Sequence, residues 1–130
     1  MPAGSLSICA HLRAALATGL LTPLLELDLL APSVSLQAVP QGPEHPCSRA
    51  QALAWLGRVH EEGLRAHPEE AVVHPGAVAL GLVRPTPRSG RTPQFRYAVF
   101  HLRHSRITRI RTYTSRDAAL RDALPPAAAT

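Results

Sequence analysis

Residues 95–124 read FRYAVFHLRHSRITRIRTYTSRDAALRDAL, and this stretch decides the fold. From Phe95 to Arg103, side chains of alternate character follow one another, with Tyr97, Val99 and His101 sharing one face. That is the period-two pattern of a strand. Arg106 to Tyr113 repeats the pattern and is expected to pair back across a tight turn at His104-Ser105. Ser115 is placed to cap a last helix from Arg116 to Leu124, and PPAAAT at 125–130 reads as a disordered tail.

Working outward, the loop PTPRSGRTPQ separates this unit from two more strand-like runs. These are Ala77 to Arg84 and Glu70 to His74, joined by a turn at Pro75-Gly76. Before them a long helix is expected from Ser48, as its N-cap, to about Arg65. Leu53, Leu56, Val59, Gly63 and Leu64 fall on one face of it, and Arg58, Glu61, Glu62 and Arg65 fall opposite. His60 lies in the middle of the apolar face. Ser33 to Val39 alternates like a short strand at a sheet edge, followed by the loop PQGPEHPC. The chain opens with a helical hairpin. Ser5 is the expected N-cap of a first helix carrying the stripe Leu6, Cys9, Leu12, Leu16 and Leu20, and Thr22-Pro23 starts a short second helix ending near Leu29.

Helices before a run of consecutive strands give the α+β layout, with the helices on one face of an antiparallel meander. At 130 residues with 45% hydrophobic and 18% charged content, the chain has room for one globular domain, taken as residues 1–124. Its 14 basic residues are all arginine, a usage expected of a high-GC bacterial genome. Ten of them lie from Arg84 onward, against two acids there. They stand singly, without the basic runs or aromatic platforms of nucleic-acid binders, so nucleic acid is not the expected partner. Cys9 and Cys47 form neither a CxxC pair nor a disulfide framework and fit a reducing, cytoplasmic setting. The apolar run Ala14 to Leu25 is too short to span a bilayer and no basic segment precedes it, so no membrane association is expected.

The order of elements, and the ending RITRIRTYTSRDAALRDAL at 106–124, resembles the nuclear transport factor 2-like superfamily and within it the bacterial SnoaL-like proteins. Ile107, Ile110, Arg111 and Tyr113 match the group's last strand. His104-Ser105 stands where an Asp-Gly turn is usual, and Thr114-Ser115 where an Asp would follow the aromatic. The resemblance implies a cone-shaped fold, a curved, mostly antiparallel sheet wrapped around N-terminal helices. It also implies a pocket that in some relatives performs isomerase, cyclase or dehydratase chemistry, and in others only binds or dimerises.

Within such a pocket the isomerase-type base on the first strand would fall near Gln37, which cannot take a proton, leaving Gln37 as a ligand-binding candidate. Histidine is then the remaining acid–base group. His60, His101, which shares a strand face with Tyr97, and His74 at a strand end could bring two or three imidazoles into one cavity, and His60, His101 and Tyr97 are the catalytic candidates; hydrogen-bonded packing is the plainer alternative for His60 and His101. Arg13, on the apolar stripe of the first helix, and Arg111 would stabilise negative charge on a ligand, with Trp55 and Tyr113 lining the pocket. Asp117 and Asp122 read as solvated helix-face charges. No His or Cys spacing suggests a metal, and no cofactor is implied.

Two functions follow. One is a pocket protein for a small apolar, polyketide- or terpenoid-like metabolite, with proton transfer by the histidines. The other is a non-catalytic homodimer paired through the sheet at Phe95 to Tyr113, binding a ligand or serving as a scaffold.

Overall fold

The structure, a computed structural model, describes residues 4–37, 43–83 and 96–124, with side chains described for all of these but 66–70. The PTPRSGRTPQ loop, Phe95 and the expected tail lie outside the described residues. The elements run α1 (Ser5–Thr18), α2 (Thr22–Glu26), β1 (Leu30–Gln37), β2 (His45–Ser48), α3 (Arg49–Glu61), β3 (Arg65–His74), β4 (Ala77–Val83), β5 (Arg96–Arg103), β6 (Arg106–Tyr113) and α4 (Arg116–Ala123). Six strands form one sheet in the order β2-β1-β6-β5-β4-β3. β1 runs parallel to β6, and the other neighbours are antiparallel.

The β5–β6 hairpin turns where the sequence places it. His104 and Ser105 have φ of 52° and 62°, both left-handed, which is the hairpin geometry whose twist matches the flanking strands. Thr108 opposes no residue of β5, because His101 pairs with Arg109 while Leu102 pairs with Ile107. It is a bulge, and it lets Ile107 and Ile110 both point to the same core face despite their spacing of three.

α3 begins with a complete capping box. The Ser48 hydroxyl accepts from the Gln51 N–H, and the Gln51 side chain accepts from the Ser48 N–H. It ends in a Schellman motif, in which left-handed Gly63 (φ 84°) lets Gly63 N–H bond His60 O and Leu64 N–H bond Val59 O.

Three expectations change at the N-terminal side. Gly4, not Ser5, is the N-cap of α1, and Leu6 and Leu20 are exposed while Ile8 and Ala15 are buried, so the buried stripe is rotated from the one read off leucines alone. β1 is not an edge strand, because β2, read as loop, pairs outside it. Pro32 lies within β1, where the pairing with β6 is irregular and no ladder N–H is called for.

The sheet has two unlike faces. On the inner face Phe100, Leu80, Leu82 and Ile110 pack against Leu12 and Leu16 of α1 and Leu56 of α3, all buried. On the outer face a smaller cluster, Ala77, Ala79 and Val99, is covered by Ala119 and Ala123 of α4.

Candidate functional site

Strand alternation sorts the residues with chemistry onto the two faces. Phe100, Ile110 and Thr112 point inward; Tyr97, Val99, His101, Arg109, Arg111 and Tyr113 point outward, beside or beneath α4. Leu36 packs in the inner core, so its neighbour Gln37, in register with Arg111, lies on the outer face.

On the inner side, a cavity of about 280 Å³ opens between α3 and the β4, β5 and β6 strands. Trp55, Val59, Leu64 and Leu82 form its apolar wall, and Arg58, Glu62, Arg96 and Thr112 its polar part. α3 builds half of it through one helical line: Trp55, then Arg58 and Val59, then Glu62, at the three- and four-residue spacings that share a face. Thr112 is buried, and its hydroxyl lies 3.4 Å from the Gln37 carbonyl oxygen. A second, more open depression of about 580 Å³ runs between α2 and α3 past Leu21, Leu25, Leu53 and Gly57. Arg58 borders both.

The outer face carries a closed polar network centred on Asp122. His101 Nε2 lies 3.0 Å from Asp122 Oδ1, and the Tyr113 hydroxyl donates to Oδ2 at 2.8 Å. Arg111 reaches the same carboxylate at 3.5 Å and donates to Glu44 at 3.2 Å. Glu44 also takes Arg109 at 3.1 Å. Burial pushes the Tyr113 phenol up, and its hydrogen bond to Asp122 adds to that rise. Burial also acts to raise the Glu44 carboxyl, but the Ser35 hydroxyl and the Arg109 and Arg111 guanidiniums outweigh it and hold the group below its ordinary range. Arg111 loses charge stability to burial and more than regains it from Asp122 and Glu44.

Asp122 is thus not a solvated helix-face charge. Its side chain is 15% exposed and ties α4 to β5 and β6. Because these groups satisfy one another, the arrangement suits a latch better than a catalytic centre, where a group must be left to meet substrate.

His60 departs from expectation for a different reason. Its Nδ1 lies 2.6 Å from the carbonyl oxygen of Leu16, one of the last α1 carbonyls that lack an intrahelical partner. Its ring lies against Gly19, where an added Cβ would come within 2.7 Å of it. Gly19 itself has φ of 75°, so both shape and conformation call for glycine there. His60 caps α1 and is not in the cavity. The expectation that His60, His101 and Tyr97 meet at a common point is therefore corrected: His60 sits between helices, while His101 and Tyr97 are on the far side of the sheet.

Of the ligand-binding candidates, Trp55 lines the inner cavity, whereas Gln37, Arg111 and Tyr113 belong to the outer face. Arg13 is half-buried on α1, one turn from the buried Cys9, and lines neither cavity. Burial raises the Cys9 thiol, with Arg13 pulling slightly the other way. Among the described residues no group of three or more His, Cys, Asp or Glu side chains could hold a metal ion. No described helix is long and apolar enough to cross a membrane.

No protein-family model matches the chain, and no curated protein sequence is significantly similar to it. Solved structures do match. A nuclear transport factor 2-like protein of unknown function from Burkholderia pseudomallei K96243 aligns at 16% identity over 95% of this chain and 99% of that one, with a TM-score of 0.63. Another nuclear transport factor 2-like protein, from Burkholderia xenovorans LB400, aligns at 21% identity over 95% and 100%, TM-score 0.58. A candidate polyketide cyclase from Pseudomonas putida KT2440 aligns at 15% identity over 95% and 99%, TM-score 0.58. The chain has the nuclear transport factor 2-like fold, with a curved six-strand sheet and four helices among the described residues.

Proposed function

We propose that this protein is a SnoaL-like pocket protein that binds a small, mostly apolar molecule in the cavity between α3 and the inner face of the sheet. The observation that carries this reading is the cavity itself: Trp55, Val59, Leu64 and Leu82 on one side and a few convergent polar groups on the other, at a volume near the lower end of small-ligand sites. Neighbours of the same fold include a candidate polyketide cyclase, which is consistent with an apolar cyclic or polyketide-like ligand. Proton transfer by His60, His101 and Tyr97 has no support in their placement, so binding is the function proposed and isomerase or cyclase chemistry by those residues is not.

The alternative, a homodimer paired through Phe95 to Tyr113, has less free surface than the strand pattern implied. α4 already covers Val99, Ala77 and Ala79 on that face.

The chain has a single tryptophan, and it lies in the cavity wall, so its emission reports on occupancy. A thermal-shift screen of small apolar compounds is expected to give hits that also shift Trp55 emission. A compound present at a hundred times its Kd adds about 2.7 kcal/mol of stability. Leu64→Phe, which fills the cavity, is expected to abolish those shifts while circular dichroism stays native. Hits that survive Leu64→Phe, or a screen with none, would reject the pocket and leave the scaffold reading.

A further inference from the structure

We propose that the ligand is a monoanionic amphiphile, an apolar body of one or two rings carrying a single carboxylate that sits between Arg58 and Arg96; this rests on the binding function proposed above. The observation behind it is how the arginines are spent. Arg49 and Arg106 both bond Asp28. Arg109 and Arg111 share Glu44, and Arg111 also takes Asp122. Arg65 donates to the carbonyl oxygens of His60 and Leu64. Arg58 and Arg96 have no such partner among the described residues, yet both line the inner cavity.

Both guanidiniums are exposed and meet the cavity from its solvent side, beside an indole and two leucines. A guanidinium presents paired N–H donors in a plane that fits a carboxylate. Glu62, the carboxylate on the same wall, already has an interaction of its own. Among the described lining residues two arginines stand against one carboxylate, an excess of one positive charge that matches a monoanion rather than a phosphate dianion. Arg96 opens β5 and Arg58 projects from α3, so the two approach the polar end from opposite walls while Trp55, Leu64 and Leu82 are left for the rings. The volume of about 280 Å³ admits a fused bicycle with one small substituent and little more.

The test is isothermal titration calorimetry on the full chain with 2-naphthoate and 2-naphthamide, which share one apolar body and differ in charge. At low ionic strength the carboxylate is expected to bind about tenfold more tightly than the amide, the range of one charge-assisted hydrogen-bond pair. The double substitution Arg58→Gln with Arg96→Gln should erase that preference, bringing the carboxylate to the affinity of the amide; each single substitution should shrink the preference a few-fold, which keeps the test open if the double variant melts. Equal affinity for the two probes in the unsubstituted protein would overturn the carboxylate assignment while leaving the binding function standing. Survival of the preference in the double variant would overturn it too. Binding of neither probe would overturn the assignment together with the function it rests on.

Discussion

The two faces of the sheet treat polar groups in opposite ways. Outside, His101, Arg111, Tyr113, Asp122 and Glu44 are bonded to one another until little is left over. Inside, polar groups are few, but Arg58 and Arg96 border a cavity with no partner of their own among the described residues. The richer display of titratable groups is the structural one. Chemical interest lies where donors are left unanswered beside apolar surface.

Three substitutions sharpen or break that contrast. The largest effect is expected inside, from Phe100→Ala, since Phe100 is fully buried among leucines. Its loss should cost about 3–5 kcal/mol in urea denaturation, by transfer and cavity terms together. A cost under about 1 kcal/mol would mean that the inner face is not a packed core.

Next comes the outer network. Asp122→Ala strands His101, Tyr113 and one bond of Arg111 and should cost about 2 kcal/mol, while affinity for any ligand of the inner cavity stays constant. Loss of ligand affinity with stability intact would reverse the contrast and make the outer face the working site.

The smallest effect is Glu44→Gln, at roughly 0.5 kcal/mol near neutral pH for so exposed an ion pair. Its signature is in the pH profile. Glu44 titrates below the ordinary carboxylate range in the folded protein, so its contribution is present above the ordinary value and fades as pH falls through the lower native one. The variant's stability should fall less steeply on acidification than that of the parent protein, as followed by circular dichroism. Parallel acid limbs would show that Arg109 and Arg111 do not hold the carboxylate in solution.

How much of this was readable from the chain depends on whether the signal is local. The β5–β6 hairpin, the Ser115 cap and the start of α3 at Ser48 were legible, because turn and cap chemistry lies within a few residues. The two-faced pattern of β5 was legible too, but not which face is inside: Tyr97 and His101 looked like pocket residues, and the helix that covers them is 20 residues away in sequence. Asp122 was misread because an i, i+4 wheel shows no partner arriving from another strand. His60 sat on an apolar stripe, as read, but its partner is a carbonyl 44 residues away. Of the cavity, Trp55 was found by residue type. Arg58 and Glu62 are exposed, as their side of the helical wheel implies, and their spacing from Trp55 along α3 brings them to the cavity rim. Arg96 and Thr112 depended on strand register, which the bulge at Thr108 disguises by breaking the alternation of β6.

That bulge has a reach beyond register. A strand with one surplus residue bends, and a bent sheet stands away from the helix laid across it. Thr108 is not among the described lining residues of the cavity, yet its bulge lies in β6, the strand that brings Thr112 to the cavity wall. On the binding function proposed above, capacity and selectivity would rest on different positions in the chain. Substitution at the arginines and leucines would then tune which molecule is preferred, and gain or loss of a single backbone unit in β6 would alter how large a molecule fits, so the two could vary independently.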